Sequence, residues 1–372
     1  MISNKNFEIY FDCGLSKIRG IAVDKSNEKN NFCFEKKYFS DPLILDSNIQ
    51  EIVNNLEKKT NEYLDEANLM IDSSNMLSIG ISILKNFDGL KLKKKDIQFL
   101  IRDAKQQILR NHADYNITHI IIENYKIDNI DHPSFPDNIN CNLLSIDINF
   151  ICLPKKIINF FKSRFFKLSI SINQIYCSSY VKSENYMKNY SHVQNITFID
   201  IGFNKTSIIS YNNNVLNAFN VLPLGGNNIT QDLSKVLDLD LQNAEEIKLS
   251  FDLEGNFFNK TIISVDLIRQ IISARIEEIL NLCIKSIKLN NNFEQLDQTK
   301  ILLIGEGSRV LNNKIEKKIS LLNNMDLIDE TLDNISESVT KFNLERNKQE
   351  VVIVPKKQIN RGFFEKLFHF FK

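Results

Sequence analysis

Tryptophan is absent from this chain of 372 residues, and glycine and proline are scarce, at 11 and 6. Asparagine, lysine and isoleucine are abundant instead, a skew that reads as nucleotide-composition bias in the genome, so the Asn-rich stretches are given no functional weight. No charge of either sign is in excess: Lys plus Arg and Asp plus Glu each number 46. No global field therefore draws the chain to nucleic acid, and any charged surface is local. The six cysteines (Cys13, Cys33, Cys141, Cys152, Cys177, Cys283) are scattered, with no CxxC and no ligand-like histidine spacing. That excludes a disulfide framework and a zinc site, and fits reduced thiols in a cytoplasm. No run of about 18 apolar residues occurs, which excludes a transmembrane helix. The opening "MISNKNFEIYFDCG" lacks the basic and apolar regions of a secretory signal, so export is not expected.

What the chain does contain is an internal repeat. Its composition, 43% apolar and 25% charged, is globular, and its length allows two domains or one elaborate domain. The stretch "IYFDCGLSKIRGIAV" at 9–23 matches "TFIDIGFNKTSIISY" at 197–211, with Asp12, Gly14 and Lys17 answering Asp200, Gly202 and Lys205. Each copy predicts an apolar strand, a tight D-x-G turn and a second apolar strand. A further strand-like run follows each, at 32–39 and 215–222, so the repeated unit is a three-stranded meander. Such a turn suits phosphate. Backbone amides close around an anion where glycine removes the side chain, and a carboxylate at the strand end holds Mg²⁺ through water. One D-x-G is more often an ordinary hairpin turn; two at matched offsets favour a clamp around a nucleotide.

A third piece, "KILLIGEGSRV" at 300–310, predicts an apolar strand ending in G-E-G-S and then a helix. Glycines at a strand's carboxyl end let a flat base or sugar approach the backbone. In order after two D-x-G hairpins, it resembles the adenosine motif of the actin, Hsp70 and sugar-kinase superfamily. The resemblance implies an α/β chain with a two-domain actin-like (ribonuclease H-like) fold that binds ATP and Mg²⁺. The site residues it implies are Asp12, Gly14, Leu15, Ser16 and Lys17 in the first turn and Asp200, Gly202, Phe203, Asn204 and Lys205 in the second. Gly305, Glu306, Gly307 and Ser308 follow from the adenosine motif, with Asp12 and Asp200 near Mg²⁺ through water.

From residue 197 onward the chain resembles the bacterial cell-division family FtsA. "LPLGGNNITQDLSKVLDLDLQNAEEIK" at 222–248 is similar to that family's P-x-G-G-N-x-x-T-x-D-I and A-E-x-I-K motifs. This implies that Gly225, Gly226 and Asn227 lie near the nucleotide and that Glu245 and Lys248 approach ribose and base. By themselves Glu245 and Lys248 equally suit a solvated helix face. The stretch 75–129, followed by "LLSIDINFICLP", predicts strand, polar turn, long amphipathic helix and strand. It resembles the small α+β subdomain, termed 1C, that FtsA inserts in its first domain and that meets neighbouring filament subunits and other division proteins. Ile97, Leu100, Ile101, Ala104 and Ile108 recur every three to four residues and are expected to be core. The implied layout is subdomain 1A at 1–78 and 156–196, 1C at 79–155, 2A at 197–226 and 300–342, and 2B at 227–299. In the family the last of these binds the C-terminal peptide of FtsZ.

Two departures bear on chemistry. Where relatives carry Gly-Gly-Thr after D-x-G, this chain has Phe203, Asn204 and Lys205, and Glu306 replaces a glycine of the adenosine motif. ATP binding with weak or absent hydrolysis is the expectation, with no catalytic residue assigned.

The chain ends "RGFFEKLFHFFK" at 361–372, after a polar linker at 343–360. On a helix, Phe363, Phe364, Leu367, Phe368, Phe370 and Phe371 fall within an arc of about 160°. Lys366 and Lys372 lie on the opposite, polar side. Such a helix is too short to span a bilayer but suits the interface of anionic lipid, or packing on protein. FtsA proteins typically end in a membrane-targeting amphipathic helix at this place. The resemblance thus implies a peripheral protein on the cytoplasmic side of the inner membrane at the division septum, self-assembling into filaments and anchoring FtsZ. A PilM-like adaptor of the same fold, recruiting an inner-membrane partner, is the alternative; a small-molecule kinase of the superfamily lacks a candidate catalytic carboxylate.

Overall fold

The structure is a computed structural model that describes residues 5–26, 30–38, 41–132, 134–250, 264–290, 298–311, 322, 325–328 and 330–345. The first meander is β1 (Phe7–Cys13), β2 (Lys17–Asp24) and β3 (Phe32–Lys37). Helix α1 (Pro42–Thr60) crosses over to β4 (Glu66–Ile71), which runs parallel to β1, and a parallel neighbour requires such a crossover. From β4 the chain departs to build a separate sheet of β5 (Leu77–Lys91), β6 (Tyr115–Ile127), β7 (Ile130–His132) and β8 (Asn140–Pro154). Its order is β5-β8-β6-β7, and helix α2 (Lys94–Asn111) packs against it. Helix α3 (Lys155–Lys167) returns to β9 (Ser171–Cys177), completing a first sheet of order β3-β2-β1-β4-β9.

Helix α4 (Ser178–Asn189) leads to the second meander, β10 (Asn195–Ile201), β11 (Thr206–Asn212) and β12 (Val215–Leu222). Three helices, α5 (Gly226–Leu237), α6 (Leu241–Ser250) and α7 (Val265–Asn290), precede β13 (Lys300–Ile304), parallel to β10. Strand β14 (Met325–Leu327) and helix α8 (Leu332–Glu345) follow. This sheet has the order β12-β11-β10-β13-β14, the first sheet's plan repeated element for element. The repeat visible in two short turns therefore extends to the parallel strands beside them.

Both faces of the first sheet are covered, which is why its strands are apolar almost continuously. On one face Ile9, Phe11, Ile18 and Leu69 join Ile49, Ile52 and Leu56 of α1 and Phe161 and Phe165 of α3. On the other, Tyr10, Ile21 and Met70 meet Val181 of α4 and Ile335 and Val339 of α8. Gly20 marks where α1 presses on β2, since a Cβ there would lie 2.2 Å from Ile52 Cγ2. In the second sheet Ile199, Ile208 and Leu303 pack on a stripe of α7, Ile268, Ile272, Ile276, Ile279 and Cys283, at helical spacing. Its other face, with Phe198 and Ile209, meets Tyr186 and Met187 of α4. Helix α4 is thus shared by the two lobes. In the inserted sheet, Ile97, Leu100, Ile101, Ala104 and Ile108 are all buried, as their spacing required.

The asparagines set aside as compositional bias have a structural use. Left-handed backbone, the usual place for glycine, is occupied by Asn61, Asp88, Asp128, Asn129, Asn138, Asn213, Asn214 and Asp238, with φ between 47° and 68°. Asn213 and Asn214 at φ 48° and 66° make the β11–β12 hairpin turn, a role Asn-Gly commonly fills. Another expectation is corrected after β13: Glu306–Val310 form a single 3₁₀ turn where a helix was expected. The expected terminal helix at 361–372, with Phe363, Phe364, Lys366, Leu367, Phe368, Phe370, Phe371 and Lys372, lies outside the described residues, as does the linker from 346.

Candidate functional site

The two D-x-G turns lie at the ends of β1 and β10 and face the same cleft between the lobes. Asp12, Gly14, Leu15, Ser16 and Lys17 line it from the first lobe, and Asp200, Gly202, Phe203, Asn204 and Lys205 from the second. Each aspartate stands opposite a different residue of its hairpin. Asp12 pairs in register with Arg19, whereas Asp200 pairs with Ser207. Arg19 Nη1 donates to Asp12 Oδ2 at 2.8 Å, and Ser178 Oγ donates to Asp12 Oδ1 at 2.8 Å. Both Asp12 oxygens are therefore engaged. Asp200 Oδ1, by contrast, is a buried oxygen with no hydrogen-bonding partner, and it faces Gly305, where a Cβ would lie 2.2 Å away. Gly305 adopts φ 90°, a conformation that excludes a side chain in any case.

Ion pairs lace the cleft. Lys17 Nζ is 3.1 Å from Glu306 Oε1 and 3.3 Å from Glu35 Oε2. Arg19 also binds Glu306, through Nη2, and Glu35, through Nε at 3.0 Å. In the reverse direction Lys205 of the second lobe is 2.9 Å from Asp72 Oδ2 at the end of β4. Lys182 on α4 is 3.1 Å from Asp200 Oδ2 and 3.4 Å from Glu330 Oε1. Burial alone would lower the Arg19 guanidinium, but Asp12, Glu306 and Glu35 together raise it. Burial likewise opposes ionisation of Asp72, yet Lys205 and Lys182 hold its carboxyl below the ordinary range. For Lys182 the order is the same: desolvation disfavours the charge and Asp200 and Glu330 more than restore it.

The Gly-Gly segment supports the second turn from behind. Gly226 N donates to Gly202 O at 2.9 Å and Asn227 N to Phe203 O at 2.7 Å. A Cβ on Gly225 would lie within 2.8 Å of three backbone atoms of that turn. These amides hold the turn, so they are not free for an anion. Glu245 and Lys248 are buried and bound to each other at 2.6 Å, and Lys248 Nζ also donates to Thr230 Oγ1 at 2.8 Å and Gly226 O at 3.0 Å. Buried as they are, they do not form a solvated face. Burial lowers the Lys248 amine despite Glu245 beside it. Gly305, Gly307 and Ser308 lie behind the cleft wall: Ser308 Oγ donates to Gly305 O at 2.6 Å, and a Cβ on Gly307 would meet Ile201 O at 2.8 Å.

Sequence reasoning missed Arg19, Asp72, Ser178, Lys182 and Glu330, all of which line the cleft. Arg19 alone carried a signal, since it sits two residues after Lys17 and its side chain must share that lysine's face of the strand. The donors suit a nucleotide with a cation: two strand-end aspartates, one with an orphaned oxygen, and four basic side chains. Among the described residues no three His, Cys, Asp or Glu side chains converge on a metal. Space does not suit it as the side chains stand. The cleft encloses about 100 Å³, whereas ligand pockets run to about 300–1,000 Å³, and each basic group already meets a carboxylate.

Comparison with known proteins narrows the assignment. A family model for cell division protein FtsA matches residues 197–325. The chain resembles the FtsA family. It is 27% identical over 244 residues to FtsA of Buchnera aphidicola subsp. Baizongia pistaciae, covering 64% of this chain and 53% of that protein. With FtsA of the Acyrthosiphon pisum subspecies it is 24% identical over 358 residues, 86% of this chain and 83% of the relative. Among solved structures the PilM–PilN type IV pilus biogenesis complex aligns over 89% of each chain, with a TM-score of 0.61 at 12% identity. That likeness speaks to the fold, which is the two-domain actin-like α/β fold that the motifs implied. No helix among the described residues is long and apolar enough to cross a membrane.

Proposed function

We propose that this chain is an actin-like nucleotide-binding protein of the bacterial division machinery, which assembles into filaments on the inner face of the membrane and ties FtsZ to it. The observation that carries this is the pair of D-x-G hairpins facing one cleft, within a chain whose residues 197–325 match FtsA. Asp12, Asp200, Lys17 and Lys205 are the groups for phosphate and its cation, and the buried Glu245 and Lys248 border the ribose and base. Hydrolysis is slow or absent, because the second turn presents Phe203, Asn204 and an amine already engaged by Asp72 in place of free glycine amides. The terminal segment 361–372 supplies the membrane contact, weak for one chain and strong for a filament that presents many.

Co-sedimentation with anionic liposomes tests the reading, using the full chain and a version ending at residue 360, with and without ATP. The full chain should pellet, preferentially with ATP, carry the FtsZ C-terminal peptide with it, and leave the truncated version in solution. If both stay in solution, the membrane role falls and a peptide-binding adaptor of the same fold takes its place.

A further inference from the structure

We propose that Glu306 is a built-in anion: its carboxylate holds the cations of the first phosphate turn, closes the cleft, and must be displaced before a nucleotide's phosphates can enter. It extends from the 3₁₀ turn of the second lobe to Lys17 at 3.1 Å and to the Arg19 guanidinium, both in the first hairpin. Each turn's lysine is bound by a carboxylate of the opposite lobe, Lys17 by Glu306 and Lys205 by Asp72 at 2.9 Å, so the lobes are cross-tied in both directions. The two ties differ in how firmly they are set. Asp72 is fixed by the Ser179 amide and hydroxyl, each at 3.2 Å, while among the described residues Glu306 is held by the charged side chains of Lys17, Arg19 and Arg309 and is 29% exposed.

A phosphate offers Lys17 and Arg19 the same oxyanion chemistry as a carboxylate, with more charge and more acceptor oxygens. It therefore competes for those cations directly. The backbone does not require glutamate at this position, because the left-handed residue of the turn is Gly305. Glu306 is kept ionised by its partners: burial alone would raise its carboxyl, but Arg19, Lys17 and Arg309 hold it below the ordinary value. The outcome is a cleft of about 100 Å³ that is shut by the chain's own charge.

This inference rests on the nucleotide reading above, and the experiment separates the two. Glu306→Gln and Glu306→Gly are compared with the unmodified full chain, Gly serving in case Gln folds poorly. Spin labels at Leu43→Cys on α1 and Val236→Cys on α5, in a Cys33→Ser background, report the distance between the lobes. Calorimetry with Mg-ATP reports affinity. Without nucleotide the variants should show a longer distance, and they should bind ATP about tenfold tighter or better. Unchanged distance with unchanged, measurable affinity overturns the proposal and leaves the nucleotide reading standing. A longer distance with no ATP binding by any form leaves Glu306 as the closing contact and overturns the nucleotide reading.

Discussion

Lys182 Nζ lies 3.1 Å from Asp200 Oδ2 and 3.4 Å from Glu330 Oε1, with all three side chains buried. A helix packed against both sheets thus carries the cation that neutralises two acids of the second lobe. Removing that amine leaves two carboxylates buried without their main partner, so Lys182→Met should cost ~3–5 kcal/mol in urea unfolding. The penalty has a pH signature. Burial raises the Glu330 carboxyl despite Lys182, and without the amine it rises further. A carboxyl whose folded value is raised loses stability as pH climbs, so the deficit should be larger near about pH 8 than near about pH 5. A deficit that grew toward acid would show that Lys182 acts by some route other than neutralising these acids.

Gly225 is conformationally ordinary but sterically constrained. A Cβ there would lie 2.5 Å from Gly202 O, 2.6 Å from Phe203 O and 2.8 Å from Lys205 N, all backbone atoms that cannot rotate aside. Gly225→Ala should therefore cost ~1–3 kcal/mol and weaken ATP binding, because the second turn must shift. Gly80 on β5 has nothing within 4 Å of the same added atom. Gly80→Ala should change stability by no more than about 0.5 kcal/mol. Thermal melts of the two variants side by side read the contrast directly.

The inserted sheet has its own apolar cluster, with Ile101 fully buried among Leu100, Ile108, Ile120 and Phe150. Ile101→Ala should destabilise by ~2–5 kcal/mol. The cluster is separate from those beneath the two five-stranded sheets, so the loss should stay local. Hydrogen exchange should quicken in α2, β5, β6 and β8 and remain slow in β1 and β10. Uniform acceleration across all three sheets would mean that the insert and the lobes unfold together.

Legibility in the sequence followed chain distance. The hairpins, the third strand of each meander and the core stripe of α2 were readable, because their residues recur at spacings of two or of three to four. The strand β4, the parallel pairing of β13 beside β10 and the match of the two sheet orders were not, since they depend on crossovers through helices. The site divided in the same way. Asp12, Lys17, Asp200 and Lys205 stand in short repeated motifs, but Asp72, Lys182 and Glu330 reach the cleft from the end of one strand, a shared helix and a loop before α8. Each of these carries a single unremarkable charge in the sequence, and only folding sets it against an opposite one. Glu306 was legible as a departure from a glycine motif, but its partners, 287 positions away at Arg19, were not. Scarce glycine was legible too, while the asparagines that fill left-handed positions were mistaken for composition alone.

The Glu306 carboxyl gives a final prediction with a fixed sign. Burial alone would raise it, and Arg19, Lys17 and Arg309 outweigh burial to hold it below its ordinary value. A carboxyl with a depressed folded value contributes fully above its unfolded pKa, about 4.3, and loses that contribution as pH falls through the folded value. Glu306→Gln has no such proton to take up. At neutral pH the unmodified chain should therefore be the more stable by ~1–2 kcal/mol, an amount suited to a hydrogen bond between charged groups that is partly exposed. As pH falls below about 4 the two stabilities should converge. Urea midpoints measured from neutral pH into acid check this. Stabilities that stay parallel through that window would mean that the carboxylate is not held by these cations in solution.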